Sequence, residues 1–155
     1  MPKFSDKSLT IRATLDPRLQ RFVDTAIQTY DITLISGKRT VGEQEKRIKE
    51  GKSKTLHSKH VWPIGQPSLA VDLAPYPVVW PEPPGALSGM LLNLVMRYVR
   101  QVGRFYHLAG YLSRVAEEHG FAVRWGGDWD GDLDFTDQKW DDLPHYEILE
   151  GGAQG

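Results

Sequence analysis

The distribution of proline is the sequence feature that most restricts the fold of this chain. Seven of its ten prolines lie between Pro63 and Pro84. Proline removes a backbone donor and fixes φ, so residues 53–86 should form a long surface loop system, interrupted by one strand-like run at residues 69–73. Loops of this length in a compact domain are usually functional or disordered. We therefore expect the chemistry of the protein to lie beside this loop system.

Three elements with clear start signals precede the loop system. An N-cap aspartate followed by proline predicts an amphipathic helix over residues 16–29. The β-branched run at residues 32–35 is typical of a short buried strand. A capping box that joins Thr40 and Glu43 predicts a second helix over residues 40–50.

The C-terminal half combines one long helix with two short strands. Residues 87–119 have helical periodicity, and Gly103 or Gly110 is a candidate point for a break or kink. Residues 121–125 and 145–149 are strand-like. Because helices and strands are mixed without regular βαβ alternation, the fold class predicted is α+β, with a small antiparallel sheet flanked by helices.

Size and composition exclude several classes of protein. A length of 155 residues fits a single domain over residues 1–155, with no separate second domain. A net charge of −1 argues against a dedicated nucleic-acid binder. The chain has no cysteine, so any metal must be held by His, Asp or Glu. The longest apolar stretch, residues 86–96, is shorter than the roughly 20 residues that cross a bilayer, so no membrane insertion is expected.

Charge is unevenly distributed along the chain. Residues 1–60 contain 13 Lys and Arg against 7 Asp and Glu, whereas residues 128–142 contain seven Asp and one Lys. One interpretation is two solvated faces of opposite sign. The other is a basic face that attracts an anionic polymer and an acidic loop that holds a cation.

Two histidines and two aspartates stand beside the predicted loops and strands. His60 and Asp72 lie in the loop system, and Asp142 and His145 lead into the last strand. Two imidazoles and a carboxylate can hold zinc in three positions and leave the fourth for water or substrate. A nearby carboxylate must then accept a proton, and Asp142 is a candidate. On spacing alone, an exposed loop histidine, a half-buried strand histidine and a capping aspartate are equally compatible with the sequence.

Several separated motifs carry a resemblance to a known family. The motifs are Ser58-Lys59-His60, Ala70-Val71-Asp72, Trp125-Gly126-Gly127-Asp128-Trp129 and Asp142-Leu143-Pro144-His145-Tyr146, with an N-terminal block at residues 36–44 and 50–54. In this order they resemble the zinc peptidases that cut peptidoglycan stem peptides. That family includes D-alanyl-D-alanine carboxypeptidases and phage endolysins that cleave L-alanyl-D-glutamate bonds, and the endolysin branch is the more similar. The resemblance covers about residues 16–150, which would form the catalytic core.

The resemblance implies roles for individual residues. It implies that His60, Asp72 and His145 bind zinc. It also implies that Asp142 is the general base, which later protonates the leaving amine, and that Arg39 faces the substrate, where a guanidinium can stabilise an oxyanion or grip a carboxylate. Three further residues are predicted to contact the substrate: Trp125, Gln44 and Ser58. Trp125 is equally compatible with an ordinary core aromatic at a strand end.

The spacing of the first two predicted ligands departs from the family. Family members usually separate this His and Asp by seven positions, whereas twelve separate His60 from Asp72. A five-residue insertion can bulge out as a loop at small entropic cost, so the ligand pair can be retained. Gly65 is a candidate for the loop glycine of the family, and His57 is a rival first ligand.

The acidic loop predicts a second cation site. Asp128, Asp130, Asp132 and Asp134 alternate as at the start of a calcium loop. The pattern departs from an EF-hand because Leu133 replaces the glycine and a lysine occupies the twelfth position. The alternative is a solvated acidic loop that binds no ion.

The function predicted is that of a zinc endopeptidase, an endolysin that hydrolyses the L-Ala–D-Glu bond of peptidoglycan and lyses the host. Residues 1–6 are polar and lack the apolar segment of a secretory signal, so we expect a monomer that waits in the host cytoplasm and reaches the wall through a separate pore. One alternative is a D-alanyl-D-alanine carboxypeptidase on peptidoglycan precursors. Another is a zinc-stabilised, non-catalytic wall-binding module.

Overall fold

A four-stranded antiparallel sheet carries the fold in the computed structural model, which describes residues 1–85 and 92–149. The helices in these residues are α1 (Asp6–Arg12), α2 (Pro17–Thr29), α3 (Val41–Lys49) and α4 (Leu92–Glu118). The strands are β1 (Ile32–Ser36), β2 (Ala70–Pro75), β3 (Val123–Gly126) and β4 (Asp142–Ile148). The sheet order is β1-β2-β4-β3, with every neighbouring pair antiparallel. The α+β prediction is confirmed.

The two faces of the sheet have different roles. Because side chains alternate along a strand, β2 and β4 each present one apolar face and one polar face. Val71 and Leu73 of β2 join Tyr146 and Ile148 of β4 in the core, which α2 and α4 cover. The opposite face carries Asp72 opposite His145 in the β2–β4 register. The strand register therefore brings two of the predicted ligands side by side.

The predicted helix starts are confirmed. The Asp16 carboxylate accepts from the backbone N–H of Arg18 at the start of α2. At the start of α3, Thr40 and Glu43 form the reciprocal capping box. Helix α4 passes through Gly103 and Gly110 without a break. Residues 87–91 of the predicted long helix lie outside the described residues, as do residues 150–155.

Helix α1 is absent from the sequence prediction. Ser5 caps it by accepting from the backbone N–H of Ser8. The buried Ser8 hydroxyl in turn accepts from the backbone N–H of Leu34, 3.3 Å away, which ties the helix to β1. Within the described residues, no helix is both long enough and apolar enough to span a bilayer.

The extra residues between His60 and Asp72 form a loop that is closed at its base. The backbone N–H of Leu69 donates to the carbonyl of Lys59, 3.1 Å away. Between these residues the chain turns through Gly65, whose φ is +79°. The large side chains at the tip, Trp62 and Ile64, are exposed. The insertion therefore bulges outward, as expected.

Candidate active site

The three predicted metal ligands converge in one buried group. His60 Nε2 lies 3.0 Å from Asp72 Oδ1, and His145 Nδ1 lies 3.2 Å from the same oxygen. The two ring nitrogens are 3.3 Å apart. All three side chains are buried, and together they form a group that can hold a metal ion.

The triangle of these three atoms has the size expected of a zinc site. Zinc–nitrogen distances of about 2.0–2.1 Å place the ligand atoms of a regular tetrahedron about 3.3–3.4 Å apart. The observed edges of 3.0, 3.2 and 3.3 Å approach this value. Two imidazoles and one carboxylate also match the donor preferences of zinc, whereas calcium and magnesium prefer oxygen ligands alone. The residues present therefore fit the ion that the family resemblance implies.

The outer nitrogen of His60 is held by the backbone. Its Nδ1 donates to the carbonyl of Gly37, 2.7 Å away, so Nε2 faces the group with a free lone pair. Burial lowers the pKa of His60, against the opposing effect of Asp72, and this favours the neutral ring that a metal requires. Gly37 has no room for a side chain, because a Cβ there would meet the Thr14 hydroxyl and lie 3.0 Å from Leu15.

The outer nitrogen of His145 is held by a carboxylate that the sequence analysis did not identify. His145 Nε2 donates to Glu147 Oε2 at 3.0 Å, and Glu147 accepts in turn from the guanidinium of Arg124. Burial alone would lower the pKa of His145, but the hydrogen bonds to Asp72 and Glu147 raise it to about 9. A carboxylate behind a ligand histidine fixes the ring orientation and makes the ring a stronger ligand.

Asp72 is shared between the histidines and Arg39. Its Oδ1 faces the two imidazoles, and its Oδ2 accepts from the Arg39 guanidinium. Burial alone would raise the pKa of Asp72, but the imidazoles and Arg39 hold it well below its usual range. Asp72 is therefore ionised, as a metal ligand must be.

Arg39 itself is held in place by neighbours on two sides. Its Nε donates to the Ser36 hydroxyl at 3.0 Å, and one terminal nitrogen lies 3.4 Å from Gln44 Oε1. The Gln44 amide nitrogen donates to Ser53 Oγ and to the carbonyl of Thr55, at 2.8 and 2.7 Å. Gln44, predicted to contact substrate, is thus buried behind Arg39, where it braces the following loop.

Asp142 stands at the start of β4 and lines the same cavity as the metal-ligand group. Burial raises its pKa, and the negative charge of Asp72 adds to this effect, while His145 and Arg39 oppose it. A carboxylate with a raised pKa is a stronger base and accepts a proton more readily. Asp142 therefore shares a cavity with the ligand group and has the raised pKa that suits a proton acceptor.

The cavity above the group has a volume of about 370 Å³ and is open on one side. Ser58 lines it, and the Ser58 hydroxyl accepts from the backbone N–H of His60 at 3.3 Å. His57, the rival ligand, also lines the cavity but lies outside the metal-ligand group. Its ring packs on Trp62 instead, with 5.6 Å between the centroids.

The aromatic wall of the cavity is formed by tryptophans other than Trp125. Strand alternation sends Trp125 to the face opposite Arg124, where it packs against Tyr106 of α4 and is buried. Trp129 and Trp140 line the cavity, and their rings stack with centroids 5.8 Å apart. Trp125 is thus packed as a core aromatic and does not line this cavity, and its contact with substrate stays a prediction. Trp129 stands in the same motif, and only the turn after β3 brings it back to the site.

Part of the acidic loop forms a second group that can hold a metal ion. Single carboxylate oxygens of Asp128, Asp130 and Asp132 lie within 4.8 Å of one another. Asp134 lies outside this group, and its carboxylate accepts from the backbone and hydroxyl of Thr136. The four-aspartate prediction is reduced to three.

Two imidazoles and one carboxylate beside an open cavity, with a further carboxylate near them, are the arrangement of a metal-dependent hydrolase. Residues 1–82 match the family model of phage L-alanyl-D-glutamate peptidase, so the chain belongs to that family. The matched residues include His60 and Asp72 and end before β4.

Individual relatives agree with this assignment. The L-alanyl-D-glutamate peptidase of Escherichia phage T5 is 27% identical over 141 residues, which cover 88% of this chain and 88% of that protein. Among solved structures, the Serratia marcescens L-Ala D-Glu endopeptidase ChiX superimposes with a TM-score of 0.66 at 22% identity. The match covers 95% of this chain and 90% of that one, so the two share a fold. The resemblance derived from the sequence motifs is confirmed.

Proposed function

We propose that this protein is a zinc-dependent endolysin that hydrolyses the L-Ala–D-Glu bond of bacterial peptidoglycan and so lyses the host cell. Membership of the phage L-alanyl-D-glutamate peptidase family supports the substrate and the bond. The observation that carries the metal dependence is the buried triangle of His60, Asp72 and His145. Few other roles account for two imidazoles and a carboxylate buried with their nitrogen and oxygen atoms facing one another.

In this proposal His60, Asp72 and His145 are the zinc ligands. Bound zinc would polarise the scissile carbonyl and make water a better nucleophile near neutral pH. Each ligand has an outer contact: His60 with the Gly37 carbonyl, His145 with Glu147 and Asp72 with Arg39. Such outer contacts keep ligands in the orientation that the ion needs and so reduce the cost of binding it.

Asp142 is the proposed general base. It accepts a proton from the attacking water and then donates that proton to the amine of D-Glu as the C–N bond breaks. Its raised pKa suits both steps, because the carboxylate must accept the proton and later release it. Arg39 orients Asp72 through its ion pair, and its guanidinium stabilises negative charge that develops on the scissile carbonyl oxygen.

The remaining parts of the proposal concern partners and location. Peptidoglycan is the partner, and the excess of positive charge in residues 1–60 would favour adsorption to an anionic envelope. The enzyme would act as a monomer and reach the wall through a separate pore at lysis. A calcium ion at Asp128, Asp130 and Asp132 would stabilise the loop that carries Trp129.

Mass spectrometry of purified muropeptides tests the proposed reaction. The protein is incubated with muropeptides after zinc loading, and in parallel after chelation, with Asp142→Asn as the inactive control. Zinc-dependent release of the stem peptide from MurNAc-L-Ala is the expected result. Loss of a terminal D-Ala alone would indicate the carboxypeptidase instead. Bound zinc without any cleavage would indicate a wall-binding module.

A further inference from the structure

Arg47 is a half-buried cation at the junction of two cavities. It lies on α3, lines the metal-site cavity, and also lines an adjoining groove of about 540 Å³. Within residues 1–85 and 92–149, no carboxylate forms an ion pair with its guanidinium. Its guanidinium is therefore available to an anionic ligand that enters either cavity.

Two acidic residues that line the groove together with Arg47 are engaged in other contacts. Glu43 caps α3 through Thr40, and Glu50 pairs with Lys52 at 2.7 Å. The adjoining groove is consequently basic. Its charged lining residues are Lys7, Lys38, Arg39, Glu43, Lys46, Arg47, Glu50 and Lys52. Neither Glu43 nor Glu50 is ion-paired with Arg47, and positively charged side chains outnumber carboxylates in the groove.

Arg39 and Arg47 differ in the contacts that they make in the structure. Arg39 is ion-paired with Asp72, and its proposed role is toward the scissile carbonyl oxygen. Arg47 lines the same cavity as Asp142, and its charge lowers the pKa of that carboxyl, so the two residues lie near each other. A group held by Arg47 would thus lie in the same cavity as the proposed base Asp142.

The substrate offers an anion at that position. D-Glu has two carboxyl groups besides the amine that leaves, and only one of them continues the stem peptide. The other remains a free carboxylate, two bonds from the leaving nitrogen in an isoglutamyl linkage. A guanidinium binds a carboxylate through two parallel hydrogen bonds, which gives both affinity and orientation.

We propose that Arg47 binds the free carboxylate of the D-Glu residue and thereby selects stem peptides in which this group is not amidated. The inference rests on the proposed function, since it assigns a substrate group to the same site. The basic groove beyond Arg47 then receives the part of the stem peptide that follows D-Glu. Arg47 is a specificity residue in this proposal and takes no part in proton transfer.

Two muropeptides that differ only at this carboxylate provide the test, one with the free acid and one with the primary amide. The zinc-loaded wild type is compared with Arg47→Gln, Arg47→Lys and the control Lys49→Gln, which removes an exposed charge from the same helix outside both cavities. For the free acid, Arg47→Gln should raise KM about tenfold with little change in kcat, because a charge-assisted contact is lost. For the amidated muropeptide, Arg47→Gln should change neither KM nor kcat. Arg47→Lys should keep part of the preference for the free acid, because lysine retains the positive charge but lacks the planar guanidinium with its paired donors.

Several outcomes would overturn the proposal. The proposal fails if Arg47→Gln raises KM equally for both muropeptides. It also fails if Lys49→Gln raises KM for the free acid as much as Arg47→Gln does. If the wild type cleaves neither muropeptide, the proposed function fails, and calorimetric binding of the two uncleaved muropeptides then decides the role of Arg47. If the wild type binds the free acid more tightly than the amide and Arg47→Gln removes this difference, the proposed role of Arg47 is supported. Equal wild-type affinities for the two muropeptides would refute that role.

Discussion

His145 and Glu147 lie on the same face of β4, and the imidazole Nε2 donates to the Glu147 carboxylate across 3.0 Å. The register of β3 and β4 places Arg124 opposite Glu147, so the carboxylate is held from its other side. The ring of His145 consequently has one orientation, in which Nδ1 points at Asp72 and His60. This chain of three residues connects the strand pairing of β3 and β4 to the candidate metal centre.

Replacing Glu147 with Gln should weaken zinc binding. The amide keeps the shape but loses the negative charge that strengthens the His145 ligand, and changes of this kind typically cost about 10–100-fold in metal affinity. Competition with a chelator of known affinity measures the effect. Glu117→Gln, an exposed change on α4, is the matched control. Unchanged zinc affinity in Glu147→Gln would show that the carboxylate does not support the ligand.

Zinc affinity should depend on pH through His145. With a pKa of about 9 in the metal-free protein, this imidazole is protonated at neutral pH, and zinc must displace the proton. Apparent affinity should therefore rise about tenfold per pH unit from near neutrality and level off above pH 9. Chelator competition at several pH values measures the slope. An affinity that is constant from pH 6.5 to 9 would contradict the raised pKa of His145.

Asp142→Asn should separate catalysis from metal binding. The amide cannot accept a proton, so kcat should fall by about 10²–10⁴-fold, the usual contribution of a general base. Zinc content and melting temperature should remain close to those of the wild type, since Asp142 is not in the ligand group. Metal analysis and the muropeptide assay on the same preparation measure both. Retained turnover would remove Asp142 from the proposed mechanism.

The choice between His60 and His57 can be tested directly. His60→Ala should lose zinc and activity, because it removes one of three ligands. His57→Ala should keep the metal, since His57 lies outside the ligand group and packs on Trp62. Metal content of the two purified variants is the measurement. The reverse result would make His57 the ligand.

Calcium should raise the melting temperature if the acidic loop binds it. An ion that binds only the folded state stabilises that state by mass action. Asp130→Asn should abolish the increase, whereas Asp134→Asn should not, because Asp134 lies outside the group of three. Differential scanning calorimetry with added calcium measures the shift. A calcium titration that leaves the wild-type melting temperature unchanged would leave the loop as a solvated acidic segment.

The sequence allowed prediction of those elements whose signals are local. The capping box at Thr40 and the Asp16 cap determine where α3 and α2 begin, because capping depends on residues within one turn. Helix α1 was missed because its stability comes from outside the helix. Its buried residue is Ser8, which a hydrophobic pattern does not reveal, and the stabilising contact is with the backbone of Leu34.

The sequence motifs predicted the candidate metal ligands but not the residues that hold those ligands in place. His60, Asp72 and His145 stand in motifs, whereas Glu147 and Arg124 depend on the register of two strands that are separated along the chain. The positions of Trp125 and Trp129 likewise depend on the fold and not on the motif alone. Both lie in one motif, but strand alternation and the following turn decide which of them reaches the cavity.

The antiparallel pairing of β2 with β4 has a consequence for when activity can begin. His145 contacts Asp72 across a separation of 73 residues, so the candidate centre does not exist until β4 has been synthesised and has joined the sheet. A nascent or truncated chain that ends before β4 has only two of the three proposed ligands. In the proposed mechanism, a nascent chain is therefore inactive toward its substrate until β4 is in place.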